Sequence, residues 1–221
     1  MIEIMNSGEK HIACVLLVDT SGSMNPHAIV ELNEGLREFG AALQSDSKAC
    51  GCADVCVISF DSEVREVVPF CPAASFQPPQ LTANGWTSMN QAIITGLDAI
   101  ELRKQVYKDL GVAYWKPWIF LLTDGEPNDN EFKSAALNRL HDALDRKKVT
   151  FFPMGIGGEA NIPLLKQYTH DGCGPVLKAT KSNFKEAFVW LSSSMSVISN
   201  SNPTMTNVDL DPIPRSISIE L

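Results

Sequence analysis

The sequence predicts an α/β fold, a doubly wound and mainly parallel sheet with helices on both faces. Three observations carry this. Apolar runs of strand length recur, notably at residues 12–18, 55–60 and 118–122. These runs are continuous rather than alternating, as strands covered on both faces require. Between them, apolar residues return every three or four positions, which marks helices packed along one stripe. Strand and helix periods alternate along the chain, so the strands are joined by helical crossovers and lie parallel.

The elements follow in order. The first strand, 12–18, runs into Asp19-Thr20-Ser21-Gly22-Ser23. Asn25-Pro26 then reads as an N-cap with proline in the first helical position, and Ile29, Leu32, Leu36, Phe39 and Leu43 form the stripe of the first helix. Gly51 breaks the chain before the second strand, 55–60. Asp61-Ser62 reads as a tight turn, and Val64, Val67 and Val68 as a short antiparallel strand at a sheet edge. Pro69, Pro72, Pro78 and Pro79 mark a long loop. Ser88 and Gln91 have capping-box spacing and open a helix carrying Ile93, Leu97 and Ile100. Strand 118–122 ends in Thr123-Asp124-Gly125, and a helix with Phe132, Ala136, Leu140 and Leu144 inward follows it. A strand over 149–156, a short helix over 162–168 and a strand near 175–177 come next. Ser182 caps a last helix striped by Phe184, Phe188, Leu191, Met195 and Ile198. The expected sheet has six strands, one of them a short antiparallel edge strand. Residues 1–10 form an N-terminal segment, 11–199 the domain, and 200–221 a polar, proline-interrupted tail.

Composition narrows the function. The 221 residues are 44% hydrophobic, enough for one substantial core. The net charge of −8 argues against nucleic acid as a partner, since a phosphate-binding face needs a basic patch. The basic run Arg146-Lys147-Lys148 suits the last turn of a helix, where cations are favoured. No apolar stretch reaches the roughly 20 residues that span a bilayer, and residues 1–6 do not resemble a signal peptide. The expectation is a cytoplasmic protein with no membrane partner. Cys14 and Cys56 fall in strand-like apolar runs and read as small core residues. Cys50, Cys52, Cys56 and Cys71 offer a zinc alternative, but their spacing departs from paired C-x2-C patterns. With Cys173, all six cysteines are expected as reduced thiols.

In an open α/β sheet, ligands bind beyond the carboxyl ends of the strands, at the point where the strand order reverses. Two strands here end in acidic loops, at Asp19 and at Asp124. A third loop, Asn84-Gly85-Trp86-Thr87-Ser88, enters a helix. If the three loops share one edge, Asp19, Ser21, Ser23, Thr87 and Asp124 converge and offer oxygen donors to a hard cation such as Mg2+. Singly, each has a plainer role: a Ser-rich turn as an N-cap, Asp124 as a turn residue, Thr87 as a helix cap. Trp86 and Met24, beside these positions, read either as core packing or as a rim for a partner.

This set resembles the metal-ion-dependent adhesion site of von Willebrand factor A (VWA) domains. The pattern there is D-x-S-x-S, then a threonine in a glycine-containing loop, then an aspartate in a T-D-G turn. Asp19-Thr20-Ser21-Gly22-Ser23, Gly85-Trp86-Thr87 and Thr123-Asp124-Gly125 match it in order, and the resemblance covers roughly residues 10–199. The finer wording, Asp-Thr-Ser-Gly-Ser-Met and Leu-Leu-Thr-Asp-Gly-Glu-Pro-Asn-Asp, is similar to bacterial TerY-type proteins of the tellurium-resistance stress systems. The resemblance implies Ser21 and Ser23 as direct Mg2+ ligands. It implies Asp19, Asp124 and Thr87 as direct or water-mediated ligands, with Mn2+ or Ca2+ as alternatives to Mg2+. It also implies a position left open for an Asp or Glu of a protein partner, a kinase or phosphatase of the same system.

An enzyme is not expected. A phosphotransferase of the haloacid dehalogenase type needs a second acid two residues after its nucleophile, where this chain has Ser21. The G-x-S-x-G elbow of hydrolases and the G-x-x-x-x-G-K-[ST] nucleotide loop are absent from the sequence. His11, His27, His141 and His170 do not fall at strand ends facing the acidic loops. A Mg2+-dependent phosphohydrolase and a metal-independent scaffold binding through the tail stand as alternatives.

Overall fold

A computed structural model describes residues 4–24, 26–158, 160–172, 175–182, 184–201 and 210–220. Its centre is a seven-stranded sheet of order β3-β2-β1-β4-β5-β6-β7. The strands are β1 (Ile12–Asp19), β2 (Ala53–Phe60), β3 (Val64–Pro72), β4 (Trp118–Thr123), β5 (Thr150–Ile156), β6 (Val176–Ala179) and β7 (Ser218–Glu220). β1 pairs in parallel with both β2 and β4, and β4, β5 and β6 continue in parallel. β3 and β7 are the antiparallel edges.

The strand period of two sorts β1 into two layers. Ile12, Cys14, Leu16 and Val18 join one core, with α1 (His27–Ser45) and α6 (Lys185–Asn200) over it. Ala13, Val15 and Leu17 join the other, under α3 (Met89–Asp109) and α4 (Lys133–Asp145). The stripes expected for the first and last helices are buried throughout. Phe39 and Phe188 meet edge-on at 6.3 Å, a favoured aromatic geometry, and join α1 to α6. Two short helices, α2 (Ala49–Cys52) and α5 (Ile162–Lys166), complete the layers. Among the described residues, no helix is long and apolar enough to cross a membrane.

Several expectations change. The sheet has seven strands rather than six, because part of the expected tail returns to it. Ser218–Glu220 pairs antiparallel with β6, Ile217 is buried in the core, and the Trp190 indole donates to the Asp211 carbonyl at 2.8 Å. Part of the segment expected as a tail is therefore packed against the sheet and core. β3 is also longer than expected, extending through Pro69 to Pro72. Proline cannot donate to a ladder, so it is tolerated at this edge, where the register with β2 shifts between Val55 and Ile58. Phe132 sits in a 3-10 turn, half-exposed, and Ala136, Leu140 and Ala143 form the buried face of α4 instead. α6 begins at Lys185, with Phe184 rather than Ser182 in the N-cap position and no side-chain cap bond there. Asn25 and Cys173 lie outside the described residues. Cys14 and Cys56 are fully buried, and that burial pushes both thiols well up.

At the amino ends of the strands, Asp54 is fully buried and faces three side chains. His11 Nδ1 lies 3.0 Å from its carboxylate, Arg103 Nη2 lies 2.8 Å away, and the Tyr107 hydroxyl donates to it. This ionic cluster ties β2 to α3 at the end of the sheet away from the acidic loops.

Candidate metal centre

The sheet order reverses between β1 and β4: β2 lies on the outer side of one and β5 on the outer side of the other. Their carboxyl ends are adjacent, which places Asp19 and Asp124 on one edge. Asp19 is the last residue of β1 and is fully buried. Its Oδ1 accepts the Ser21 backbone N–H at 2.8 Å, and its Oδ2 accepts the Thr123 hydroxyl at 2.5 Å. The first bond turns the chain sharply out of the strand. A 3-10 turn over Gly22–Met24 follows, anchored by the buried Met24. The turn brings Ser21 Oγ and Ser23 Oγ to 3.0 Å. Ser23 Oγ in turn donates to Asp124 Oδ1 at 2.5 Å.

The third loop is joined to the first by backbone. Asn84 N–H donates to the Thr20 carbonyl at 2.8 Å, and Gly22 N–H to the Gly85 carbonyl at 3.1 Å. Thr87 is fixed by Asn128: its N–H donates to Asn128 Oδ1 at 2.9 Å, and its carbonyl accepts the Asn128 N–H at 2.9 Å. A Cβ built on Gly125 would lie 3.6 Å from both Ser23 Oγ and Thr87 Oγ1, so these two hydroxyls border the same small space. All five expected positions thus come together at the carboxyl edge.

Gly85 has φ +74°, and a Cβ there would stand 2.4 Å from Ser62 Oγ, which holds the Trp86 N–H at 3.0 Å. Gly85→Ala would strain the backbone and push on that anchor. We expect it to cost about 1–2 kcal/mol in chemical denaturation, and to weaken any Mn2+ titration by displacing Thr87.

The electrostatics of the edge favour a cation. Burial raises the Asp19 carboxyl to about 6, and the nearby Asp124 charge pushes the same way; the bonds from Ser21 and Thr123 oppose the rise without cancelling it. Among the described residues, no group of three or more His, Cys, Asp or Glu side chains is arranged to hold a metal. The five residues here supply two carboxylates and three neutral hydroxyls. That donor set fits a hard divalent ion such as Mg2+ or Mn2+ and does not suit a soft one.

Four contributors were not legible as site residues. Thr123 holds Asp19, and Asn128 holds Thr87. Asp129 caps α3, accepting the Asn90 and Gln91 N–H groups at 3.2 and 2.8 Å. Ser88, whose spacing to Gln91 suggested a capping box, makes no side-chain cap bond. Lys181 Nζ contacts Asp124 Oδ2 at 2.6 Å and the Ser23 carbonyl at 3.0 Å. Thr123, Asn128 and Asp129 all lie in the 121–129 stretch around the T-D-G turn, and that closeness in sequence was the available signal for these three. Of the two neighbours read as core or rim, Met24 is core, while Trp86 is 70% exposed beside Thr87.

Solved structures place this architecture. A von Willebrand factor type A protein from Catenulispora acidiphila superposes with a TM-score of 0.63 at 18% identity, covering 86% of this chain and 43% of that one. A manganese-loaded TRAP protein from Plasmodium vivax gives a TM-score of 0.58 at 24% identity, covering 83% and 73%. The vWF domain of the type V pili tip protein Mfa5 from Porphyromonas gingivalis gives 0.58 at 11% identity, covering 88% and 98%. The fold is therefore similar to that of VWA domains, and the chain spans less than half the length of the first of these structures. No protein-family profile and no curated protein matches the sequence.

Proposed function

We propose that this protein is a metal-dependent protein-interaction module that binds an acidic residue of a partner through a divalent cation. One observation carries the reading. Asp19, Ser21, Ser23, Thr87 and Asp124 come from three separate loops and meet at the β1–β4 carboxyl edge, joined by the Ser21–Ser23–Asp124 hydroxyl chain. Asp19 and Asp124 would neutralise the ion, Ser21, Ser23 and Thr87 would complete the oxygen set, and Thr123 and Asn128 would hold the ligands in place. When bound, Mg2+ or Mn2+ supplies a Lewis-acidic position that accepts a carboxylate, so that a chain of net charge −8 can receive an acidic ligand. The exposed Trp86 indole would contribute apolar contact at the rim. The neighbouring manganese-loaded structure supports the choice of ion class.

The wider setting belongs to the same proposal: a bacterial, cytoplasmic stress system of the tellurium-resistance type, with an associated kinase or phosphatase as partner. We assign no catalytic role, because none of the four histidines takes part in the bonds that organise the acidic edge. A metal-independent scaffold acting through residues 200–221 is less favoured, because part of that segment is committed to β7 and the core.

The test is capture of partners from a cell extract by the tagged protein, with and without EDTA, beside the Asp124→Ala variant. We expect a set of partners retained by wild-type protein in Mg2+ and lost with EDTA or with the substitution. Capture indifferent to both would reject the metal-dependent reading.

A further inference from the structure

We infer that Lys181 is a tethered counter-cation of this site, which holds Asp124 in the metal-free protein and competes with the metal for it. The inference rests on the cation-binding reading above and adds a residue to it. Asp124 has a buried side chain, and both of its oxygens are engaged, Oδ1 by Ser23 Oγ and Oδ2 by the Lys181 ammonium at 2.6 Å. The same ammonium donates to the Ser23 carbonyl at 3.0 Å, so it bridges two of the loops that carry the expected ligands. Its side chain is 39% exposed and reaches in from the segment between β6 and α6. A lysine on a flexible stem normally leaves its charge in water. Here the stem instead crosses Gly157, where an added Cβ would lie 3.1 Å from Lys181 Cε and 3.2 Å from Cγ. Gly157 sits at φ +84°, a conformation suited to glycine, and leaves the space this route uses.

The physical consequence follows from charge. Asp19 and Asp124 are two nearby carboxylates in a largely dry edge, and without a metal they repel each other. An ammonium ion-paired to Asp124 relieves that repulsion and helps the edge keep its shape when no metal is bound. A divalent cation arriving at the same oxygens meets a fixed positive charge, so Lys181 must move away from Asp124 for binding to be strong. Removing the ammonium should therefore tighten metal binding and destabilise the metal-free protein. Linkage requires the reciprocal, that metal loosens the hold on Lys181.

The experiment is calorimetric titration of MnCl2 and MgCl2 into wild type, Lys181→Met, Lys181→Arg, Asp124→Asn and the Asp124→Asn/Lys181→Met double variant, with thermal melts of each in EDTA. Methionine keeps the stem over Gly157 and removes only the charge. We expect Lys181→Met to bind Mn2+ roughly fivefold to fiftyfold more tightly, and Lys181→Arg to stay near wild type. In EDTA, Lys181→Met should melt below wild type, and the same lysine substitution should change melting little once Asp124→Asn is present. Detectable binding in Lys181→Met with none in wild type supports the inference. Wild-type binding with equal or weaker affinity in Lys181→Met, or unchanged melting in EDTA, overturns the inference and leaves the metal reading standing. Binding in none of the variants overturns both.

Discussion

Asp19→Asn is expected to abolish metal binding while raising the stability of the metal-free protein. The carboxylate is fully buried at the end of β1, and its acidity is weakened, with the carboxyl raised from 3.8 to about 6 mainly by burial. Folding therefore disfavours the charged form. For a raised Asp, the native state holds more protons than the unfolded chain between these two values, so stability falls as pH rises from about 4 to about 6 and is level above that. Asparagine has no such charge. Its oxygen can accept the Ser21 N–H, and its amide can donate to the Thr123 hydroxyl, so both native partners stay satisfied. The gain in EDTA at neutral pH should be on the order of 2–3 kcal/mol in urea unfolding. Loss of a charged ligand should weaken Mn2+ binding by at least about a hundredfold. In wild type, apparent affinity should fall below about pH 6, where a proton competes with the ion for Asp19. A variant less stable in EDTA that still binds Mn2+ would show that Asp19 is a structural anchor alone.

The second large effect lies at the opposite end of the sheet. Asp54→Ala withdraws the carboxylate that faces Arg103, His11 and Tyr107 in a fully buried setting. Breaking a buried ion pair from one side leaves the other charge desolvated, which costs about 3–5 kcal/mol. We expect that loss in chemical denaturation, with the Mn2+ affinity of the folded fraction unchanged, because the cluster sits at the amino ends of the strands. A substantial change in affinity would mean that the two ends of the sheet communicate. Together, the variants predict opposite outcomes for two buried aspartates. Among the described residues no side-chain cation pairs with Asp19, whereas Asp54 has a guanidinium at 2.8 Å.

The parts legible from sequence were those set by local period or local chemistry. Phe184, Phe188, Leu191, Met195 and Ile198 recur at helical spacing, and all five are buried. The acidic residues closing two apolar runs mark strand ends, and parallel topology puts such ends on one edge. The parts that escaped depend on distant partners. Asp129 caps a helix that begins about forty residues earlier, so the nearby Ser88–Gln91 pattern pointed to the wrong capping group. Lys181 looks like any surface lysine until the fold carries it to Asp124. β7 is three residues long, with only Ile219 between two polar residues, and it forms because β6 offers an open edge. Pro69 and Pro72 signalled a loop because proline usually breaks a ladder, and the edge position of β3 removes that conflict.

The strand order also bears on how the chain emerges during synthesis. β1 is central, yet its second neighbour, β4, begins only at Trp118, long after β2 and β3 are complete. At translation rates of about 5–20 residues per second, one flank of β1 waits several seconds for its partner. During that interval an apolar strand with unpaired backbone groups is a template for association between nascent chains. The same delay means that the two aspartates cannot meet before most of the sheet has been made. A cation held by both aspartates would thus bind only after β1 to β4 are made and could not serve as a nucleus for the early steps, so on the proposed reading metal starvation should impair recognition without lowering the yield of folded chain.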